Sequence, residues 1–311
     1  MALLIATGVT NWINDADIKA QLTAMSPGAD IRTPDAMGNP DEIRMLAVAS
    51  LRSDLPQQLP NLELVQKLGA GVETIVAHPA LQPHVRVTRL KPDAPAYEIA
   101  EYCLAYVLRH QRNMDQHDRD QARANWAPVA PREASKTTVG VLGLGHIGGR
   151  TARLFRDLGF QVMGWSRSPH QMDGVTCLTG LDGLTRLLAR SDYTIAILPS
   201  TDATRDLLDT QTLSGMKHGA LLINAGRGDL IVEPDLIDAL NTGPLAHAVL
   251  DVVRTEPLPP ESPLWRHPNV TITPHVSGWH LGDALRDVVE NFRRLTGGEP
   301  LLHEVDRKRG Y

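Results

Sequence analysis

The sequence predicts an α/β protein with two parallel-sheet domains, and two observations support this fold class. First, short apolar segments alternate with helix-like segments in both halves of the 311-residue chain, a pattern typical of parallel strands joined by crossover helices. Second, the segment VGVLGLGHIG at 139–148 joins an apolar strand directly to three glycines and a helical pattern. A chain of this length can bury two separate cores.

The composition indicates a globular protein with a small-molecule partner. Hydrophobic residues make up 42% of the chain, and 31 basic against 36 acidic residues give a formal charge of -5. The sequence has no dense run of Lys and Arg, so it does not predict binding to nucleic acid or to an anionic membrane. The N-terminal MALLIATGV has no basic leader and is far shorter than the roughly 20 residues that span a bilayer, so it predicts a first strand. Neither the two distant cysteines nor the histidines have metal-ligand spacing, so we expect no metal site and a cytoplasmic protein.

The first half of the chain alternates strands and helices. Strands are predicted in LLIATG, MLAVAS, LELVQKL and VRVTRL, with a helix through Ile18 to Leu22. After the third strand, the small residues 69–71 form a loop whose backbone N–H groups could hold a carboxylate, although without further context a simple turn is the preferred explanation. The segment 92–95, Pro-Asp-Ala-Pro, breaks the chain before a long helical pattern from Tyr97 to His110, as expected at a crossing between domains.

The glycine-rich turn gives the strongest local signal. In a strand–turn–helix unit, Gly143 would allow the tight turn, Gly145 would let the backbone approach a pyrophosphate, and Gly148 would pack helix against strand. An ordinary strand-to-helix connection can carry the same glycines. Here, however, they follow a buried strand at 137–142 and precede both a helical pattern and a second strand at 160–165. We therefore predict a Rossmann-like unit with a dinucleotide at the helix N-terminus.

The second strand of this unit ends in Ser166-Arg167-Ser168, where an NAD-binding unit usually places Asp or Glu. An arginine between two hydroxyl groups can instead accept the ribose 2′-phosphate of NADP, through charge-assisted hydrogen bonds worth roughly 1.5–3 kcal/mol. At about 1.4 kcal/mol per factor of ten, this predicts roughly a ten- to hundredfold preference for NADP. The alternative is a solvated surface arginine, and NAD remains an alternative cofactor.

The second half repeats the alternation. A helix is predicted at 181–189, followed by strands in YTIAILPS and ALLINAGRG, a helix in EPDLIDALN, and strands in LAHAVLDV and VTITPH. Ligands of such sheets bind at the carboxyl ends of the strands. That rule selects six residues: Pro199, Ala225, Gly226, Arg227, Asp251 and His275.

Two of these positions, together with one glutamate, make a chemically coherent set for reducing a 2-oxo acid. Arg227 can make a forked pair with a substrate carboxylate and polarise the ketone, and His275 can donate the proton that completes the alcohol. Glu256, in DVVRTEPLP, would orient the imidazole and favour its protonated form. Taken singly, a surface Arg, a loop Glu and a strand-end His each have an ordinary structural explanation. Their joint occurrence beside strand ends indicates a catalytic site.

The motifs LGAGVETI, LGLGHIG, LPSTDAT, INAGRGDLIVEPDLIDAL and LDVVRTEPLPPESPLWRHPNVTITPH span most of the chain. They resemble the D-isomer-specific 2-hydroxyacid dehydrogenases. The EPLPPESPLW run, the W-S-R strand ending and the C-terminal VDRKRGY are most similar to the glyoxylate/hydroxypyruvate reductase A branch of that family.

The resemblance implies a flavodoxin-like substrate domain at 1–96 plus 281–311, a dinucleotide-binding domain at 97–280, an active site between them, and a homodimer formed through the nucleotide-binding domain. It assigns catalysis to Arg227, Glu256 and His275. It assigns the substrate carboxylate to the backbone of Ala70 and Gly71, beside Arg227 and His275, and the nicotinamide carboxamide to Asp251. The remaining residues expected to line the cofactor are Gly143, Leu144, Gly145, His146, Ile147, Gly148, Ser166, Arg167, Ser168, Leu198, Pro199, Thr204, Ala225, Gly226 and Gly278.

The implied activity is NADPH-dependent reduction of small 2-oxo acids, namely glyoxylate to glycolate and hydroxypyruvate to D-glycerate. Two features depart from the branch: no aromatic residue occurs at 49–52, and Trp279 and His280 follow the catalytic histidine. They leave open an NAD-dependent D-2-hydroxyacid dehydrogenase acting on another 2-oxo acid. A nucleotide-sensing, corepressor-like binding protein is a further alternative, disfavoured because extended disordered or basic flanks are absent.

Overall fold

The computed structural model describes residues 1–8, 13–51 and 54–307. The chain forms two compact units, Met1–Ala94 with Trp279–Tyr311, and Pro95–Gly278. The boundaries predicted from the sequence each lie two residues further along the chain. Over the described ranges, no helix is long and apolar enough to cross a membrane.

The α-helices of these ranges are α1 (Asp15–Met25), α2 (Glu73–Val76), α3 (Asp93–Gln111), α4 (Met114–Ala122), α5 (His146–Asp157), α6 (Gly180–Arg190), α7 (Thr210–Ser214), α8 (Glu233–Asn241) and α9 (Leu285–Gly297).

The first unit contains a five-stranded parallel sheet. Its strands are β1 (Ala2–Ile5), β2 (Ile31–Arg32), β3 (Ile43–Val48), β4 (Leu64–Lys67) and β5 (Arg86–Arg89). Their order is β2-β1-β3-β4-β5, which is the flavodoxin-like arrangement predicted for this unit. The sequence predicts four of these strands. It misses β2 because two residues carry no periodic signal.

Helices α1 and α9 cover one face of this sheet, although they come from opposite ends of the chain. Ile18 and Leu22 of α1 are buried with Leu285 and Val288 of α9 in one apolar cluster. A polar network completes the contact, because Asn291 Nδ2 donates to Gln66 Oε1 at 2.8 Å. The C-terminal helix therefore belongs to the core of the N-terminal unit.

The second unit contains a seven-stranded parallel sheet. Its strands are β6 (Thr138–Leu142), β7 (Gln161–Trp165), β8 (Val175–Leu178), β9 (Tyr193–Ala196), β10 (Ala220–Asn224), β11 (Leu245–Leu250) and β12 (Val270–Ile272). The order β12-β11-β10-β9-β6-β7-β8 is the dinucleotide-binding order with one added strand. Strands β9 and β10 are buried at every position, as continuous apolar strands are when helices cover both faces. The chain order reverses between β6 and β9, and ligands of such sheets generally bind at the carboxyl ends of the strands at this point.

Helix α3 corrects one sequence prediction. The segment 92–95 was expected to break the chain, but the helix begins at Asp93 and contains Pro95 in its first turn. The first four N–H groups of a helix have no partner within it, so the missing N–H of proline removes no hydrogen bond there. The two prolines therefore start the helix instead of delaying it to Tyr97.

Candidate active site

The glycine turn after β6 has a specific role for each glycine. Gly143 has φ +102°, and a Cβ there would lie 2.4 Å from the carbonyl oxygen of Ile197. A Cβ on Gly148 would lie 1.8 Å from the Gly143 oxygen, so this glycine permits the close packing of helix on strand. At Gly145 a Cβ would meet no atom within 4 Å. The turn is therefore closed on its protein side and open where a pyrophosphate would approach the backbone.

The N-terminus of α5 supplies the donors for such a phosphate. Gly145 precedes the helix with no capping hydrogen bond from a side chain, and the first intrahelical bond runs from Gly149 N to Gly145 O at 2.8 Å. Backbone N–H groups in the first turn point out of the helix and favour anions. The buried side chain of Leu144 packs on Gly164 of β7, where a Cβ would clash with it. These features fit the predicted dinucleotide.

The turn after β7 is held together by its own polar groups. The buried Ser166 hydroxyl donates to the Ser168 carbonyl at 2.8 Å, and His170 Nδ1 lies 3.0 Å from Ser166 Oγ and 2.9 Å from the Ser168 oxygen. Arg167 is exposed between the two serines. Sequence reasoning missed His170 because no motif marks it. Its contacts shape the turn that carries Arg167.

The loops after β9 and β10 pack tightly against each other. The Thr204 hydroxyl donates to the Pro199 carbonyl at 2.6 Å, and a Cβ on Gly226 would lie 2.9 Å from the backbone of Leu198. Asn224, which is fully buried, accepts from Gly226 N at 3.1 Å and donates to the Arg227 carbonyl at 2.9 Å. The sequence analysis did not select Asn224, although an asparagine ending an otherwise apolar strand was a usable signal. Its amide fixes the loop, including the buried Ala225, that presents Arg227.

The structure brings the three predicted catalytic side chains into one electrostatic group. His275 Nδ1 lies 2.8 Å from Glu256 Oε2, and the two side chains are 51% and 38% exposed. Burial of the Glu256 carboxyl opposes its ionisation. The hydrogen bond and charge of His275, the Val253 N–H and the charge of Arg227 outweigh that effect and lower the pKa of Glu256. Glu256 therefore remains a carboxylate facing the imidazole at neutral pH.

The loop that carries His275 is attached to Asp251, which is 2% exposed. One carboxylate oxygen accepts from the Thr273 hydroxyl at 2.6 Å and from Val276 N at 2.9 Å, and the other accepts from Ser277 N at 2.9 Å. These bonds use three of about four acceptor positions of a carboxylate. One position is left for the nicotinamide carboxamide that the resemblance assigns to Asp251.

Gly278 and Ala70, which the sequence also selects, each have a defined contact within their own unit. In the second unit, a Cβ on Gly278 would lie 3.0 Å from Ile99, so Gly278 allows close packing on α3. In the first unit, Arg89 Nη1 donates to the Ala70 carbonyl at 3.3 Å, and burial lowers the pKa of Arg89. Because the carbonyl and the next N–H of a trans peptide point in opposite directions, this bond fixes the direction of the Gly71 N–H. Among the residues described, no group of three or more His, Cys, Asp or Glu side chains has the arrangement of a metal site.

The sheet order, the open glycine turn and the Arg–Glu–His group define the class of nicotinamide-dependent dehydrogenases. The model of the family described as "D-isomer specific 2-hydroxyacid dehydrogenase, NAD binding domain" matches residues 104–277. The glyoxylate/hydroxypyruvate reductase A of Serratia proteamaculans (strain 568) is 40% identical over 256 residues, covering 80% of this chain and 82% of that protein. The chain therefore belongs to the D-isomer-specific 2-hydroxyacid dehydrogenase family, as its motifs predict.

Solved structures agree with this assignment over the whole chain. A D-isomer-specific 2-hydroxyacid dehydrogenase from Xanthobacter autotrophicus Py2, in complex with NADPH and MES, superposes with a TM-score of 0.93 at 40% identity, covering 100% of this chain and 99% of that one. An NADPH-dependent glyoxylate/hydroxypyruvate reductase from Sinorhizobium meliloti, in complex with NADP and sulfate, gives 0.90 at 30% identity over 100% and 99%. The predicted fold class, the similarity to the reductase A branch and the expected NAD(P)-dependent enzyme class are confirmed.

Proposed function

We propose that this protein reduces small 2-oxo acids with NADPH, converting glyoxylate to glycolate and hydroxypyruvate to D-glycerate. The observation that carries the proposal is the 2.8 Å contact between His275 and Glu256, with Arg227 close enough to lower the pKa of the carboxyl. The relatives named as glyoxylate/hydroxypyruvate reductases support the substrate class. The relatives crystallised with NADPH or NADP support the cofactor.

Each side chain has one proposed step. Arg227 binds the substrate carboxylate through its planar fork and polarises the ketone oxygen. The cofactor, when bound at the glycine turn, supplies the hydride to the carbonyl carbon. His275 donates its proton to the carbonyl oxygen as the alcohol forms, and Glu256 stabilises the imidazolium that precedes this transfer. Binding of the carboxylate by the backbone of Ala70 and Gly71 stays a prediction from the family resemblance.

The substrate preference within 2-oxo acids rests on two departures from the reductase branch. The segment 49–52 has no aromatic residue, and its last member, Arg52, lies outside the described residues. Trp279 and His280 follow the loop of His275. The deciding experiment is a panel of initial rates with glyoxylate, hydroxypyruvate, pyruvate and bulkier 2-oxo acids, each with NADPH and with NADH. Faster turnover of a bulkier acid with NADH would contradict the proposed function.

The proposed proton donor has its own test. General acid catalysis contributes typically 10²- to 10⁴-fold, so His275→Ala should reduce turnover by about that factor. NADPH affinity, measured by fluorescence titration, should stay within about twofold, because the glycine turn is unchanged. His267→Ala is the matched control, since it removes an imidazole that contacts Asn241 Oδ1 instead of Glu256. Full activity of His275→Ala would remove His275 from the mechanism.

We propose a homodimer formed through the nucleotide-binding unit, and a cytoplasmic location stays a prediction. The dimer is supported by the segment 123–133, which is exposed at every residue except the half-buried Ala127 and carries Trp126 at 97% exposure. Covering an indole on a second copy removes a large apolar area from water. Sedimentation should show a dimer that Trp126→Ala weakens and Trp265→Ala, another exposed tryptophan, leaves intact. A monomeric wild-type protein at micromolar concentration would contradict the dimer.

A further inference from the structure

A chain of hydroxyl groups runs from helix α3 to the loop of His275. The Tyr102 hydroxyl lies 2.7 Å from Thr273 Oγ1, and the Thr273 hydroxyl donates to Asp251 Oδ1 at 2.6 Å. A carboxylate only accepts, and a threonine hydroxyl has a single proton to donate. Tyr102 is therefore the donor to Thr273, and the bonds run in one direction from tyrosine to carboxylate.

Asp251, at the end of this chain, holds the backbone on both sides of His275. Its carboxylate accepts from Val276 N and Ser277 N, and its backbone carbonyl accepts from His275 N, each at 2.9 Å. His275 has φ +56°, a left-handed conformation that is unfavourable for a residue with a Cβ. Such conformations persist only where the surroundings over-determine them. The bonds to Asp251 supply that constraint.

Tyr102 keeps its proton over the working pH range of the site. Its side chain is largely buried, and burial raises the pKa of the phenol; nearby Asp251 raises it further, while the Thr273 bond opposes the shift. The phenol therefore remains a donor to Thr273. Tyr102, the first donor of these hydrogen-bonded groups, lies on α3, whose buried residues Ile99, Cys103 and Val107 fix the helix in the core.

We propose that Tyr102, Thr273 and Asp251 are positioning residues that hold the imidazole of His275 in the direction needed for proton transfer. The inference rests on the proposed function, because it takes His275 as the proton donor. It adds two hydroxyl groups that have no contact with substrate or cofactor in the proposed mechanism. Their removal should slow the chemical step and leave cofactor binding intact.

The test compares three threonine variants of the full-length enzyme. Thr273→Val removes the hydroxyl and keeps the shape, and Thr273→Ser restores the hydroxyl. Thr271→Val makes the same change two residues away, where the hydroxyl contacts His247 Nε2 at 2.9 Å instead of Asp251. Displacement of a catalytic group by a distant mutation can cost up to about 100-fold, and we expect Thr273→Val to lower kcat about tenfold. Thr273→Ser and Thr271→Val should stay within about twofold of wild type.

Two further measurements separate positioning from loss of structure. With NADPH deuterated at the transferred hydrogen, the isotope effect on kcat should increase in Thr273→Val, because chemistry becomes slower than product release. Tyr102→Phe should lower kcat less than Thr273→Val does. It should cause no further loss in the Thr273→Val background, since Tyr102 acts only through Thr273.

The contrary results are distinct. Wild-type kcat and isotope effect in Thr273→Val would overturn the inference. So would an equal loss in all three threonine variants, which indicates general destabilisation, or weaker NADPH binding at normal kcat, which indicates that the Thr273 hydroxyl supports the cofactor contact of Asp251 and not the direction of His275. If Thr273→Val does not fold, a normal kcat and a normal isotope effect in Tyr102→Phe would overturn the inference instead. A wild-type enzyme that reduces no 2-oxo acid would instead refute the proposed function.

Discussion

Replacing Glu256 by glutamine tests the electrostatic part of the site with little change in shape. The amide keeps the size of the side chain and can still accept from His275 Nδ1, but it carries no charge. In 2-oxo acid reduction the proton donor must start protonated, and the Glu256 carboxylate stabilises the cationic imidazole beside it. Without the carboxylate this stabilisation is lost, so kcat/KM should fall at every pH where Glu256 of the wild type is ionised.

The exposure of the pair sets the size of this decrease. With His275 and Glu256 51% and 38% exposed, solvent screens the contact, and exposed ion pairs are worth about 0.2–1 kcal/mol. At about 1.4 kcal/mol per factor of ten, that range corresponds to a decrease of about 1.4- to fivefold in kcat/KM. Because the pKa of Glu256 is lowered, its carboxylate persists as the pH falls from neutral, and the wild-type enzyme should keep the pair through the weakly acidic range.

The assay is the pH dependence of kcat/KM for glyoxylate reduction by wild type, Glu256→Gln and Glu261→Gln. Glu261 lies in the same loop, so its variant carries the same chemical change without the contact to His275. From neutral to weakly acidic pH, kcat/KM should be about 1.4- to fivefold lower in Glu256→Gln alone. An unchanged or increased kcat/KM in Glu256→Gln would refute the electrostatic role assigned to Glu256.

Three other variants test separate contacts. Arg167→Ala should weaken NADPH binding by about 10- to 150-fold, because it loses roughly 1.5–3 kcal/mol of charge-assisted hydrogen bonding. NADH binding should change by less than about threefold. Equal losses of NADPH and NADH affinity in fluorescence titrations would contradict the 2′-phosphate assignment. Arg227→Lys keeps the charge but loses the planar fork, so kcat/KM should fall about 10- to 150-fold, and a decrease below about threefold would exclude forked binding. Asn291→Ala removes one of the two donors to the buried Gln66 Oε1 and both side-chain contacts to the Leu302 backbone. It should lower the free energy of unfolding by about 1–3 kcal/mol in urea titrations, whereas a change below about 0.5 kcal/mol would show that the network adds little.

The sequence predicted most of the fold because parallel sheets covered on both faces require continuous apolar strands. The run Ala-Leu-Leu-Ile-Asn of β10 is buried throughout and was recognised directly. Two strands were missed for physical reasons: β2 is too short to show a period, and β8 is only half-buried at the edge of its sheet. Helix α4, Met-Asp-Gln-His-Asp-Arg-Asp-Gln-Ala, was missed because it has no apolar face.

The site residues could be predicted because their position after a strand is visible in a linear sequence. Arg227 and His275 follow β10 and β12, and their chemistry suits a 2-oxo acid. The residues that brace them were not found. Asn224 is bound to the Arg227 carbonyl and Thr273 to Asp251, and these pairings exist only after the chain has folded. Tyr102, 171 residues from Thr273 along the chain, reads in sequence as one more apolar position of a buried helix.

Two of the three proposed catalytic side chains, Arg227 and His275, are held through backbone geometry, which constrains how the site can change. Asn224 fixes the carbonyl of Arg227, and Asp251 fixes the N–H groups around His275, while the functional ends of both side chains are left to partly exposed contacts. Removing one partner of a buried hydrogen bond costs more free energy than removing one partner of an exposed bond. Substitutions at Asn224 or Asp251 should therefore destabilise the fold and lower activity together. Substitutions at Arg227 or Glu256 should lower activity at nearly unchanged stability. Activity can therefore change at the exposed ends of these side chains without loss of the buried hydrogen bonds that orient them.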